Sequence, residues 1–151
     1  MSLVERLKHK LGIASAHSGR HPIRIFLLED DERRCEWFAK RFKGDLIDVA
    51  RDVARAREFL KTRVYDSIFL DHDLMPEHYG ADTHDDENTG YAIASFLASN
   101  PELQRSATIM VHSFNSEGAM RMVDELRGAG RQADYIPFHL LEERLKNFWP
   151  R

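Results

Sequence analysis

Apolar and polar positions along this chain fall into blocks whose period switches repeatedly between that of a strand and that of a helix. Ile23 to Leu28 is a near-continuous apolar run, the pattern of a strand covered on both faces. From Asp31 to Lys43 the apolar residues Cys35, Phe38, Ala39 and Phe42 share one helical stripe, and Gly44 is placed to end the helix. Leu46–Ala50 predicts a second strand, and Ala54 to Thr62 a helix that buries Ala56, Phe59 and Leu60. Tyr65–Leu70 predicts a third strand. Thr89 to Ser99 predicts a helix with Ile93, Phe96 and Leu97 inward, closed by Asn100 and Pro101. Ala107–Val111 is a fourth strand. A helix capped by Asn115 or Ser116 then runs to Leu126 and stops at Gly128 and Gly130. A short strand, Asp134–Pro137, and a helix from Leu140 to Trp149 complete the pattern. The order is (βα)5, which implies an α/β fold: a doubly wound, parallel five-stranded sheet with helices on both faces.

Two segments stand outside this alternation. Residues 1–21 read as a short N-terminal helical extension, because Leu3, Val4, Leu7 and Leu11 recur at helical spacing before Gly12 and a Ser15–Gly19 joint. The receiving domain is then 22–151. The extension could dock on that domain, mediate a homodimer or be partly disordered. The second segment runs from Met75 to Asn88 and carries Glu77, Asp82, Asp85, Asp86 and Glu87 with His78 and His84. A loop of this length inside a compact domain is usually functional or mobile.

Composition narrows the class. The 151 residues suit a single domain with a real core. A formal net charge of -3 gives no general attraction to nucleic acid or to a membrane surface, though a nucleotide or an RNA end could still bind locally. The single cysteine, Cys35, excludes an internal disulfide and sits on the apolar stripe of its helix. No apolar run reaches the length of a membrane span, and residues 1–21 lack the apolar core of a signal peptide, so the expectation is a cytoplasmic protein. Trp37 and Trp149 read as packing residues.

Chemistry concentrates behind the strands. Ser67–Leu70 ends in Asp71-His72-Asp73-Leu74, Ile25–Leu28 ends in Glu29-Asp30-Asp31, and Thr108–Val111 ends in His112-Ser113. In an open α/β sheet the carboxyl ends of the strands are where ligands bind. Carboxylates gathered there repel one another unless a cation neutralises them, and oxygen-only ligands favour Mg²⁺ or Mn²⁺ over zinc. Either Asp30 or Asp31 could equally cap the first helix. His72 follows Asp71 directly, and adjacent strand residues point to opposite faces, so the chain must turn at once for both to share a site. His112, at the end of the fourth strand, is better placed. Asn115 is either a helix cap or a phosphate donor, and the amides following Ser113 could hold an anion.

These same stretches resemble the response-regulator receiver domain in element order over residues 22–149. By that resemblance Asp30 and Asp31 match its acidic metal-binding pair, Asp71 its phosphoacceptor, and Asp73 the position whose backbone carbonyl completes the metal shell. The implied fold is flavodoxin-like, and the implied cofactor is a divalent metal. Two positions depart from the pattern: His112 stands where receivers carry Thr or Ser, and Ile136 stands where they carry Lys before the Pro. Asp71-His72-Asp73-Leu74 with Thr89-Gly90-Tyr91 and His112-Ser113-Phe114-Asn115 is similar to a divergent group, the cyclic-phosphate-processing receivers. The Asp-x-Asp motif also marks haloacid-dehalogenase-like phosphatases, but there it follows the first strand.

The resemblance implies two functions. The first is a metal-dependent phosphoesterase acting on a cyclic phosphate, of an RNA end or a nucleotide. Asp30, Asp31, Asp71 and Asp73 would hold the metal, and His112 and His72 would move protons. Ser113 and Asn115 would contact the substrate, and the attacking group would be water or Asp71 itself. The alternative is a degenerate receiver that accepts a phosphoryl group at Asp71 or binds a partner. No DNA-binding output domain is expected.

Overall fold

The computed structural model describes residues 19–74 and 86–150. The expectations placed on residues 1–18, and those on Glu77, His78, Asp82, His84 and Asp85, lie outside the described residues.

Among the described residues five strands and five α-helices alternate: β1 (Arg24–Leu28), α1 (Glu32–Arg41), β2 (Leu46–Ala50), α2 (Val53–Thr62), β3 (Ser67–Leu70), α3 (Gly90–Ser99), β4 (Thr108–Val111), α4 (Ser116–Gly128), β5 (Ala133–Tyr135) and α5 (Leu141–Phe148). The strands form one parallel sheet in the order β2-β1-β3-β4-β5. β3 lies at its centre between β1 and β4, and β1 and β3 bury apolar residues on both faces, as strands covered by helices must. The final strand ends earlier than the pattern suggested, at Tyr135. Pro137 opens a 3₁₀ turn, Phe138–Leu140, which leads into α5.

Period-2 alternation divides the core into two layers. Ile25, Leu27, Phe69 and Met110 face α1 and α5, where they meet Phe38, Phe42, Leu141 and Leu145. Phe26, Leu28, Ile68, Leu70, Ile109 and Val111 face α2, α3 and α4. Arg41 crosses the first layer, donating from Nε to Glu142 and from Nη2 to the carbonyl of Trp149, which ties α1 to the C-terminal helix. Cys35 is half-buried on α1, and burial pushes its thiol up to about 11, the state of an unreactive packing cysteine.

Caps set where the helices start. Asp31, Asp52 and Asn115 each accept a hydrogen bond from the backbone N–H three residues on, of Arg34, Arg55 and Gly118. Thr89 accepts from Tyr91. These four caps begin the helices that follow β1, β2 and β4 and the 75–88 segment. Three of them, Asp31, Thr89 and Asn115, therefore fix backbone beside the carboxyl ends of the central strands.

Candidate functional site

Strand register decides which side chains meet at those ends. Leu28 pairs with Leu70, and Leu70 with Val111. The ladder continues one residue further, since the Asp71 N–H donates to the Leu28 carbonyl and the His112 N–H to that of Leu70. Glu29, Asp71 and His112 therefore stand in one row. Two residues earlier on each strand stand Leu27, Phe69 and Met110, all in the α1/α5 layer, so the polar row faces that same side.

Glu29 is fully buried, at 0% exposure, and all of its acceptor capacity is used. Oε1 accepts from the Asp31 N–H at 3.0 Å and from Arg34 Nη2 at 2.9 Å. Oε2 accepts from Arg34 Nε at 2.9 Å and pairs with His112 Nε2 at 2.8 Å. Burial alone would push this carboxyl up. The bonds from His112 and Arg34 outweigh it and hold Glu29 down at about 2, from an ordinary 4.5. Glu29 is therefore a carboxylate at neutral pH, and His112 Nε2 must carry the hydrogen between them. His112 is itself fully buried, with its ring against Phe38 and Phe138. Its Nδ1 has no hydrogen-bond partner among the described residues.

Asp71 is in the opposite electrostatic condition. Burial and the neighbouring Glu29 charge push its carboxyl well above the usual range. Arg34 and a hydrogen bond from Ser113 only partly oppose that. Arg34 Nη2 reaches Asp71 Oδ2 at 3.2 Å, so one guanidinium spans Glu29 and Asp71. Its outer face lies over the ring of Phe114, 5.4 Å from the centroid. The oxygens of Glu29, Asp30 and Asp71 come within 4.8 Å of one another, the one such acidic group found among the described residues.

The other polar residues turn to the opposite face. His72 Nδ1 meets Asp73 Oδ1 at 2.6 Å, and the amide of Asn115 donates to the same oxygen at 3.3 Å. The imidazole lies flat against α4 at Gly118, where a Cβ would come within 2.6 Å of the ring. Its Nε2 is buried without a partner among the described residues. Gly90 allows a second close approach: its N–H donates to the His72 carbonyl, and a Cβ there would strike the Asp71 carbonyl oxygen at 1.8 Å.

The resemblance implies Asp30, Asp31, Asp71 and Asp73 as the residues holding a metal. The structure brings Asp30 and Asp71 together with Glu29. The Asp31 carboxylate caps α1, and the Asp73 carboxylate bonds His72, whereas the resemblance implies a metal role for the Asp73 backbone carbonyl alone. Ser113 reaches Asp71, while Asn115 both caps α4 and touches Asp73. Of the two histidines, His112 joins the acidic row through Glu29, and His72 does not. Glu29 and Arg34 were not singled out from sequence. Glu29 was legible as the first polar residue after β1, in phase with Asp71 and His112. Arg34 carried no comparable signal, being one of several basic residues on α1.

The fold is that of receiver domains. A two-component response regulator from Clostridium difficile superimposes with a TM-score of 0.58 at 17% identity, covering 85% of this chain and 96% of that one. The response regulator TrrA from Thermotoga maritima, solved in complex with Mg²⁺-BeF, gives 0.56 at 19% identity over 82% and 96%. A sensor protein from Polaromonas gives 0.59 at 20% identity over 85% and 95%. No curated protein sequence matches the chain. Among the described residues no helix is long and apolar enough to cross a membrane. Residues 24–128, from β1 through α4, match the family described as Cyclic-phosphate processing Receiver domain, and the chain belongs to that family.

Proposed function

We propose that this chain is a receiver-type phosphate-handling domain whose reactive group is Asp71, working with a divalent cation. The observation that supports it is the setting of Asp71 itself. The carboxylate is buried against Glu29, with the Arg34 guanidinium and the Ser113 hydroxyl bonded to it. A carboxyl pushed up by burial and by a neighbouring carboxylate is one that a bound cation returns to its charged, nucleophilic form. The residues fit such a cation. Glu29, Asp30 and Asp71 offer oxygen atoms alone, which suits Mg²⁺ or Mn²⁺. One solved relative in fold holds Mg²⁺, and that statement concerns TrrA. When bound, the cation supplies charge neutralisation and polarises a phosphate oxygen.

In this reading an Asp71 oxygen forms the new bond to phosphorus as the bond to the leaving oxygen breaks. Arg34 balances charge on the acceptor, and Ser113 donates a hydrogen bond at the same carboxyl. The partner is a small phosphorylated donor. Incubation with Mg²⁺ and a small-molecule phosphodonor should give an acid-stable, base-labile acyl phosphate detected by intact mass, and Asp71→Asn should lose it. Failure of Asp71 to take up phosphoryl from any donor sinks this reading.

The family match favours a second reading, hydrolysis of a cyclic phosphate on a nucleotide or an RNA terminus. His112 and His72 were its acid and base. Both imidazoles are buried, each against a carboxylate, so they are better suited to orient Glu29 and Asp73 than to meet substrate. Asp71 then attacks phosphorus as one ribose oxygen leaves with a proton from solvent, and water cleaves the resulting aspartyl phosphate ester to restore the carboxylate. Ring opening of a 2′,3′-cyclic nucleotide with Mg²⁺ or Mn²⁺, lost in Asp71→Asn, establishes this reading. A stable adduct without ring opening leaves the acceptor reading.

A further inference from the structure

We infer that Arg34 is a tethered occupant of the cation site, which an incoming divalent ion must displace from Glu29. The inference rests on the cation reading above. A carboxylate has about four lone-pair positions. On Glu29 all four are taken: Asp31 N–H and Arg34 Nη2 on Oε1, His112 Nε2 and Arg34 Nε on Oε2. A metal ion cannot ligate Glu29 until one donor leaves. The Asp31 N–H is held by the turn into α1, where the same residue caps the helix. His112 is fully buried, with its ring packed against Phe38 and Phe138.

Arg34 is the one donor that can move. Its side chain, carried on α1, keeps 16% of its surface exposed. It holds two of the four positions, and it also contacts Asp71 Oδ2. The guanidinium is thus already doing the electrostatic task of the ion, neutralising two carboxylates at once. Phe114 gives it somewhere to go. That ring is 65% exposed and already lies 5.4 Å from the guanidinium carbon, so Arg34 can release Glu29 and remain over an aromatic face. The consequence is a built-in competition: cation affinity at this site is set partly by how firmly Arg34 holds Glu29.

The test is calorimetric titration of the full chain, and of R34M and R34K, with Mg²⁺ and with Mn²⁺. R34M removes the competing charge and should bind either ion about tenfold more tightly, the equivalent of one charge-assisted hydrogen bond. R34K keeps a charge but loses the two-point grip and should fall between. In wild-type protein the Arg34 side-chain Nε resonance should move on Mg²⁺ addition, a readout that survives if R34M folds poorly. Equal or weaker binding by both variants, with an unmoved Nε resonance, overturns the inference and leaves the cation site standing. Absence of binding by wild type and variants alike overturns the cation reading and this one together.

Discussion

The two faces of the sheet receive the end of β3 differently. On the α1/α5 face, Glu29, Asp71 and His112 stand side by side because three strands are in register, and Arg34 closes the row from above. On the α4 face, His72, Asp73 and Asn115 are neighbours because the chain turns immediately after β3 and packs on a glycine. The first cluster concentrates charge: two buried carboxylates share one guanidinium, and burial together with the Glu29 charge pushes Asp71 up. The second is a short hydrogen-bonded chain of an imidazole, a carboxylate and an amide. A row that repels itself is poised to take a cation or a phosphoryl group. A chain in which each member satisfies the next is suited to holding backbone in place.

The largest effect should come from His112. Removing its ring leaves the fully buried Glu29 with Arg34 and one backbone N–H. His112→Ala should cost about 3–5 kcal/mol in urea unfolding at neutral pH, the usual cost of breaking a buried pair from one side. Glu29 also carries a pH signature. Its carboxyl is lower in the folded state than in the unfolded one, so it adds stability above 4.5 that is lost as pH falls toward about 2. That acid limb should shrink in His112→Ala. A loss under about 1 kcal/mol, with the limb unchanged, means the pair does not hold the row together.

How much of this could be read from sequence differs between the two faces for one physical reason. Alternation with period 2 survives to the first polar residue of each strand, so the fold, the three strand ends and the placing of His112 beside Asp71 follow from pattern alone. The same parity extends to Glu29, which was not singled out because the resemblance to receivers points one residue later, to Asp30 and Asp31. The structure shows why these differ: Asp31 lies past the strand, where its side chain caps α1. Beyond the strand end, parity fails. His72, Asp73 and Asn115 meet through a turn and a close helix approach that Gly118 permits, and no period encodes that. Arg34 was illegible for a third reason. Its role depends on the tilt of α1 over the sheet, which the stripe of Phe38 and Phe42 suggests only coarsely.

Gly118→Ala probes the second face. Alanine is the better helix former by about 1 kcal/mol, so an exposed position would gain stability. Here the added Cβ meets three atoms of the His72 ring at 2.6–2.8 Å. The expected net loss is about 2 kcal/mol by thermal unfolding. A net gain would mean that the ring moves aside freely and that the second cluster positions nothing.

Asp71→Asn should act in the other direction. The Asp71 carboxyl is raised in the folded protein. Its contribution is therefore fully present below the unfolded value, about 3.9, and is lost as pH rises through the folded value. Near neutral pH, without metal, the charge opposes folding, and Asn should stabilise by about 1 kcal/mol. The advantage should vanish in acid. Saturating Mg²⁺ should reverse the order, because only the wild type gains from binding. Destabilisation by Asn at every pH contradicts the idea of a self-repelling row.

The smallest effect tests whether the two clusters are separate at all. Asn115→Ala removes the α4 cap and one donor to Asp73, and should cost about 1 kcal/mol. It should leave the Glu29 acid limb untouched, because Asn115 shares no side-chain partner with Glu29 or His112. Combining it with His112→Ala should then give costs that add to within about 0.5 kcal/mol. One route could break that additivity. The Asn115 N–H donates to Ser113 Oγ, and Ser113 also bonds Asp71, so a cap lost at α4 could loosen the hydroxyl that serves the acidic row. A coupling above about 1 kcal/mol would locate the link at Ser113, and Ser113→Ala in the same background should abolish it.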